Sequence, residues 1–380
     1  MDSDATTALR AGLRPDDTRA QLGQAGAGRS TSADLATPSD PDDLCGVVLA
    51  DRYRLLRILG RGAMGYVYVA QHVAIDKMIA VKVLGVQWAR QSEFRRSFLV
   101  EAKATSRIRH DNVIEVHDFG ETPNDSVFMA MELLRGEALS ELIAREGALA
   151  WPRAKGIALQ VCRALHCAHD LGVLHRDVKP ENCFRTKRGA NRDFIKLLDF
   201  GLAKIFGKED DPHSSLTRAG AIFGTPEYMS PEQARGRPVD ARTDVYASGV
   251  LLYELVTGQV PFSGATFMDV LTKQCTEPPP PPSVMAPHVG IPTELDLVIL
   301  RALEKDVDAR FQSMRELAEA IASVPLGPAV RTTNSGGTTG RRQVVPDLAA
   351  VKAPYVIAIA TLCFVVVVLS IALAIAVLRP

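Results

Sequence analysis

Residues 175–182 read His-Arg-Asp-Val-Lys-Pro-Glu-Asn, the pattern H-R-D-x-x-x-x-N. Four fixed letters at that spacing arise by chance in about one chain in 500 of this length, so the octet gains weight only from an ordered set of partners. A glycine-rich loop and a strand lysine should precede it, and an aspartate should follow. All three are present. Gly60-Arg-Gly62-Ala-Met-Gly65-Tyr-Val67 comes first, then Ala80-Val81-Lys82, and Asp199-Phe200-Gly201 follows.

A lone G-x-G-x-x-G is ambiguous, because dinucleotide-binding folds share it. Those folds need a helix directly after the glycines. Here Tyr66 to Ala70 is aromatic and β-branched, which predicts a strand, and Tyr53 to Leu59 predicts another before the loop. A strand-loop-strand hairpin is predicted instead, and its glycines would let the backbone approach a ligand without a Cβ in the way. The next strand, Met78 to Leu84, places Ala80 and Lys82 on one face, with Val67 above. From Phe94 to Ile108 the pattern is helical: Phe94, Phe98, Ala102, Thr105 and Ile108 share one side. Glu101 falls on that side too. An inward carboxylate is costly without a cation, and Lys82 is the obvious one. Val127 to Glu132 reads as a strand, residues 137–146 and 152–170 as helices, and Phe194 to Leu198 as a strand ending at Asp199. Pro152 and Gly172 sit where a helix start and stop favour them.

On these motifs, residues 50 to 323 resemble the bacterial eukaryotic-like (Hanks-type) serine/threonine protein kinases. The resemblance implies an α+β, two-lobed fold within residues 47–325. A small β-rich N-lobe would cover about 53–134 and a larger helical C-lobe about 135–323. It implies ATP-dependent phosphoryl transfer to serine and threonine hydroxyls of protein substrates, with Mg2+, or Mn2+ in its place. Lys82, held by Glu101, would grip the α- and β-phosphates. Asp199 and Asn182 would ligate the metal. Asp177 would orient the substrate hydroxyl and accept its proton, and Lys179 would neutralise charge on the γ-phosphate. The nucleotide would meet Leu59, Gly60, Gly62, Gly65, Val67, Ala80 and Lys82, with Met131 at the back of the adenine pocket. The backbone of Glu132 and Leu134 would bind the adenine edge, and Phe184 would floor the pocket, where an aliphatic residue is more usual.

Residues 202–226 would be the activation segment, and Thr217 its activating phosphorylation site. Arg176, beside Asp177, would meet that phosphate. Thr225 is expected to contact Asp177. The family's A-P-E appears as Ser230-Pro231-Glu232, and Glu232 would pair with Arg310. Asp244 would brace the catalytic loop. A pseudokinase would lack Lys82, Asp177 or Asp199. A small-molecule kinase would not need Gly224 to Glu232, which shapes a peptide site.

The flanks differ in composition. Residues 1–46 hold eight acidic and four basic residues and no aromatic, which predicts a disordered tail. No signal peptide is expected. The six cysteines show no C-x-x-C pair and read as small apolar fillers in a reducing compartment. With zero net charge, no nucleic-acid partner is implied globally and none is expected. Pro278 to Pro282 reads as a loop between helices. Residues 326–353 read as a flexible linker. Tyr355 to Leu378 then runs without a charge, and as a helix would span about 36 Å against a hydrocarbon core of about 30 Å. That predicts a single transmembrane helix in the lipid bilayer of the cell (inner) membrane. Arg341, Arg342 and Lys352 would keep the kinase domain cytoplasmic. Small residues at 370, 374, 372 and 376 allow a homodimer in which molecules phosphorylate one another.

Overall fold

The alternation expected around Lys82 organises the smaller lobe. The computed structural model describes residues 44–62, 64–200 and 225–326. In it, strand β4 (Lys77–Leu84) runs through a six-stranded antiparallel sheet, between β3 (Gly65–His72) and β6 (Val127–Glu132). Strands β2 (Tyr53–Gly62) and β1 (Val48–Leu49) extend one side, and β5 (Val116–Glu121) closes the other. Successive side chains of a strand point to opposite faces. Ile79, Val81 and Val83 therefore pack with Leu55, Tyr68 and Phe128 on one face. Ala80 and Leu84 join Phe94, Phe98, Ala102, Met129 and Met131 on the other. Lys82 shares that second face, which helix α2 (Ser92–Thr105) covers after the single turn α1 (Val86–Ala89).

Several boundaries differ from expectation: β2 runs on to Gly62, the strand expected from Phe194 begins at Asn191, and three further cases have a clear cause. The sheet begins before Tyr53: Leu44 N donates to the Tyr68 hydroxyl at 3.2 Å, and Gly46 N to Leu55 O at 2.7 Å. Leu44 to Gly46 thus belong with the folded domain rather than with a tail ending at 46, and Cys45 is exposed rather than a core filler. Helix α2 stops at Thr105, short of Ile108, although Ile108 stays buried. A turn follows in which Asn112 N donates to His110 Nδ1 at 3.1 Å, the kind of local bond that competes with a helix. The helix predicted from 137 begins at Leu139, because Gly136, Glu137 and Ala138 form β7 (Gly136–Ala138) against Thr186, Arg185 and Phe184 of β8 (Cys183–Arg188). Strand β9 (Asn191–Leu197) completes that small sheet.

The larger lobe is helical: α3 (Leu139–Glu146), α4 (Trp151–Asp170), α5 (Pro231–Ala234), α6 (Ala241–Thr257), α7 (Phe267–Thr276), α8 (Pro282–Met285), α9 (Thr293–Ala302) and α10 (Met314–Ser323). Pro152 lies in the first turn of α4, and Gly172, at φ +72°, follows its end. Helix α6 is apolar nearly all round and buried along its length, which marks it as the core of the lobe. Asp240 caps its start by accepting from Arg242 N, and Gly258 at φ +78° ends it. Pro278 to Pro281 bridge α7 and α8, as the composition suggested. Among the described residues no helix is long and apolar enough to cross a membrane. The 355–378 run, Thr217 and all of the linker but Leu326 lie outside the described residues.

Candidate active site

Strand β4, helix α2 and the residues after β9 bring three charges together. Lys82 Nζ lies 2.7 Å from Asp199 Oδ1 and 3.8 Å from Glu101 Oε1. Glu101 is buried with Phe94, Phe98, Ala102 and Thr105 on the inward side of α2, as its spacing predicted. Burial pushes the Glu101 carboxyl up to about 7; Lys82 opposes this, while Asp199 and Asp177 reinforce it. Burial also works against the Lys82 charge, but Asp199 and then Glu101 more than offset it, so its pKa is raised. One ammonium thus serves two carboxylates and sits closer to Asp199.

The octet forms a loop braced from below. Asp244, fully buried near the start of α6, accepts from His175 N at 2.8 Å and Arg176 N at 2.7 Å, with His169 Nε2 at 2.7 Å. Burial disfavours its charge, yet the His169 contact and the neighbouring histidines hold its pKa below the usual carboxylate range. His175 Nε2 faces Leu198 O at 3.0 Å, and its Nδ1 faces Asp177 N at 3.3 Å. A carbonyl only accepts and an N–H only donates, so the ring is the neutral Nε2–H tautomer. Burial, which lowers its pKa, agrees. The same ring packs 4.7 Å from that of Phe200. Arg176 and Asp199 adopt left-handed backbone at φ +63° and +39°. Strained conformations of this kind persist where surrounding bonds over-determine them.

At the top of the loop, Asn182 Nδ2 donates to Asp177 Oδ2 at 2.9 Å and to Asp177 O at 2.8 Å. Lys179 Nζ lies 3.2 Å from Asp177 Oδ2 and donates to Thr225 Oγ1 at 3.0 Å. Sequence reasoning expected Thr225 to meet Asp177; here one link between them runs through Lys179. Gln233 Nε2 adds a bond to Arg176 O at 3.0 Å.

Above the loop, the glycine hairpin pairs Gly60 with Val67 and Gly62 with Gly65. Gly65 has φ +154°, and a Cβ there would lie 2.0 Å from Val83 O, so no other residue fits. Val67 pairs with Lys82, and Ala80 with Met131, which places the expected adenine-facing residues in adjacent strands. Leu59, Ala80 and Met131 are buried and Leu134 is half-buried. The Glu132 N–H donates to Glu115 O at 3.0 Å, so the backbone group it could offer a ligand is its carbonyl. Phe184 is fully enclosed, and its ring edge comes within 3.2 Å of where a Cβ at Gly136 would stand. The stronger bar to a side chain at 136 is Arg185 O, 1.9 Å from that Cβ position.

Farther out, Arg310, wholly buried, makes a two-pronged pair with Glu232 at 2.9 and 2.8 Å, and Thr243 Oγ1 donates to the same carboxylate at 2.8 Å. Glu101, Lys82, Asp177, Asn182 and Asp199 thus face one cleft, while Asp244, Glu232 and Arg310 support it. Residues 53–320 match the family model described as the protein kinase domain. The chain belongs to the protein kinase family. Among similar proteins, the serine/threonine-protein kinase pkn3 of Myxococcus xanthus is 44% identical over 290 residues, 76% of this chain and 53% of that protein. The serine/threonine-protein kinase PknB of Mycobacterium tuberculosis is 38% identical over 282 residues, covering 73% and 44%. The crystal structure of the Mycobacterium tuberculosis PknI kinase domain is similar at a TM-score of 0.56 and 32% identity, covering 73% of this chain and 97% of that one. The kinase domain here is of the bacterial Hanks type. The chain spans about half the length of the curated relatives it matches.

Protein kinases use ATP with a divalent metal, and the kinase has a fitting donor set. The Asn182 amide nitrogen is committed to Asp177, which leaves its Oδ1 as the hard oxygen that an ion could take. Asp199 supplies a carboxylate. Among the described residues no cluster of three or more His, Cys, Asp or Glu could hold a metal alone. Two protein oxygens completed by substrate phosphates and water suit Mg2+, which is seldom caged by protein.

Several supporting residues escape sequence reasoning. Lys196 of β9 pairs with Glu132 at the end of β6 at 2.6 Å. His169 and Gln233 brace the catalytic loop. None has a local pattern; each partner stands over 50 residues away, so only the fold reveals the pair.

Proposed function

We propose that this kinase transfers the γ-phosphoryl group of ATP to serine and threonine hydroxyls of proteins, its own activation segment included. The observation that carries the reading is Lys179, whose ammonium touches both Asp177 and Thr225. A lysine so placed lies where γ-phosphate charge would develop, beside the carboxylate that takes the hydroxyl proton. Lys82 grips the remaining phosphates from the opposite lobe. Asp199 and Asn182 would hold Mg2+, or Mn2+ in its place, and the ion supplies neutralisation of phosphate charge. Phosphoryl transfer asks for positioning and charge more than covalent help, and these residues supply both.

Incubation of the purified protein with labelled ATP, Mg2+ and casein is expected to label both proteins on serine and threonine. EDTA should abolish the signal. No labelling above the EDTA background overturns the reading. Within it, phosphorylation of Thr217 is the proposed switch: a phosphothreonine brings about two negative charges and a two-pronged match for the Arg176 guanidinium. Thr217→Ala should then lose most activity toward casein while remaining a substrate of the wild type at other sites. Full activity of that variant rules the switch out.

The uncharged run 355–378 supports a further part of the proposal, a single span of the cell membrane with the kinase domain cytoplasmic and neighbouring copies within reach of one another. Cell fractionation should place the full chain in the membrane pellet, resistant to alkaline carbonate. Recovery of intact protein in the supernatant removes the anchor.

A further inference from the structure

A buried chain of polar groups ends on the segment that follows the catalytic cleft. Gln274, on α7, is completely buried. Its Nε2 donates to Pro226 O at 3.1 Å and also to Glu227 O. Two carbonyls can only accept, so they settle which end of the amide faces them. The Oε1 then needs a donor, and the Tyr246 hydroxyl of α6 supplies it. Tyr246 has spent its one proton, and its oxygen accepts from Lys305 Nζ at 3.1 Å. The ammonium rests 4.3 Å from the Phe262 ring centre, an aromatic seat for a cation. Every polar group of the chain therefore has one role and one orientation. The chain pulls on backbone next to Thr225, and Thr225 touches Lys179.

We infer that Gln274, held by Tyr246, is a positioning residue for the protein substrate. It fixes the backbone of Pro226 and Glu227 and so sets the height of the peptide platform relative to Lys179 and Asp177. The inference rests on the reading that residues 224–232 shape a peptide site. It deepens that reading, because nothing in the catalytic motifs assigns a role to α7. An amide is required for the task. A carboxylate at 274 would face two carbonyls, and an apolar side chain would take the side-chain donor from both of them and leave the buried Tyr246 proton without its acceptor. Nucleotide binding should be indifferent, since Gln274 contacts none of the residues that would meet ATP.

The test uses the full chain, with casein and ATP varied separately, for wild type, Gln274→Met and Tyr246→Phe. Assays run well below each variant's melting temperature. Both substitutions are expected to raise KM for casein about tenfold, the scale of leaving one buried hydrogen-bonding group unpartnered. KM for ATP should stay within about twofold, the scatter expected of a site left untouched. A merely structural role lowers the melting temperature and leaves both constants alone. Unchanged KM for casein, or a parallel rise for ATP, overturns the inference. If Gln274→Met does not fold, Tyr246→Phe alone decides the matter, since it removes a single oxygen. Absence of casein turnover by wild type sinks the kinase reading and the inference with it; normal wild-type turnover beside unaltered variants sinks the inference only.

Discussion

Asp177→Asn is expected to lower kcat for phosphoryl transfer by about 10²–10⁴-fold, the usual contribution of a positioned general base. The substitution keeps shape. An asparagine oxygen can still accept from Asn182 Nδ2 and lie near Lys179, as Asp177 Oδ2 does in the structure. What it cannot do is take a proton from the substrate hydroxyl. The rise in melting temperature on adding ATP and Mg2+ should therefore persist, because Lys82 and Asp199 are untouched. Single-turnover assays with thermal melts separate the two effects. A variant within tenfold of wild type would show that Asp177 does not act as the base. Loss of the nucleotide-dependent shift would show that the loop itself had moved.

Arg310→Ala is expected to cost about 3–5 kcal/mol of stability, the range for breaking a buried pair by removing one partner. For a domain of this size that lowers the melting temperature by very roughly 6–20 °C. The loss exceeds that of a surface ion pair because Arg310 has no solvent exposure and Glu232 very little. The guanidinium also donates to Glu304 O at 2.7 Å and stacks 4.9 Å from the Tyr246 ring. Truncation strands the Glu232 carboxylate, with Thr243 left to donate to it. The double variant Arg310→Met, Glu232→Gln should recover part of the loss, since no bare charge is left behind. A double variant no more stable than Arg310→Ala would mean that the packing of the arginine, and not the charge, carries the effect.

How much of this is legible in the sequence follows from which forces act locally. Strand β6 reads correctly to the residue, because Val127 to Glu132 is an apolar run with no competing pattern. Glu101 emerges from the period of a helix before any contact is known. Strand β7 does not, since three residues carry no period and Glu137 is held there by Arg185 and Arg145, one of them 48 residues away. The start of the sheet at Leu44 is hidden for a similar reason: its bond goes to the hydroxyl of Tyr68. In the site, the residues that do chemistry announce themselves by type and order. Those that hold them, such as His169 and Gln233, are ordinary polar residues made specific only by contact with distant chain.

The brace at Asp244 has a consequence for how activity can be controlled. It ties the backbone of His175 and Arg176 to the most buried helix of the larger lobe, so Asp177 inherits the rigidity of that core. Lys82 belongs to the sheet of the smaller lobe and meets Asp199 at 2.7 Å, while its other carboxylate, Glu101, sits on α2 of the same lobe. The Lys82–Asp199 contact thus depends on two supports at once, the sheet that holds the lysine and the stretch after β9 that holds the aspartate.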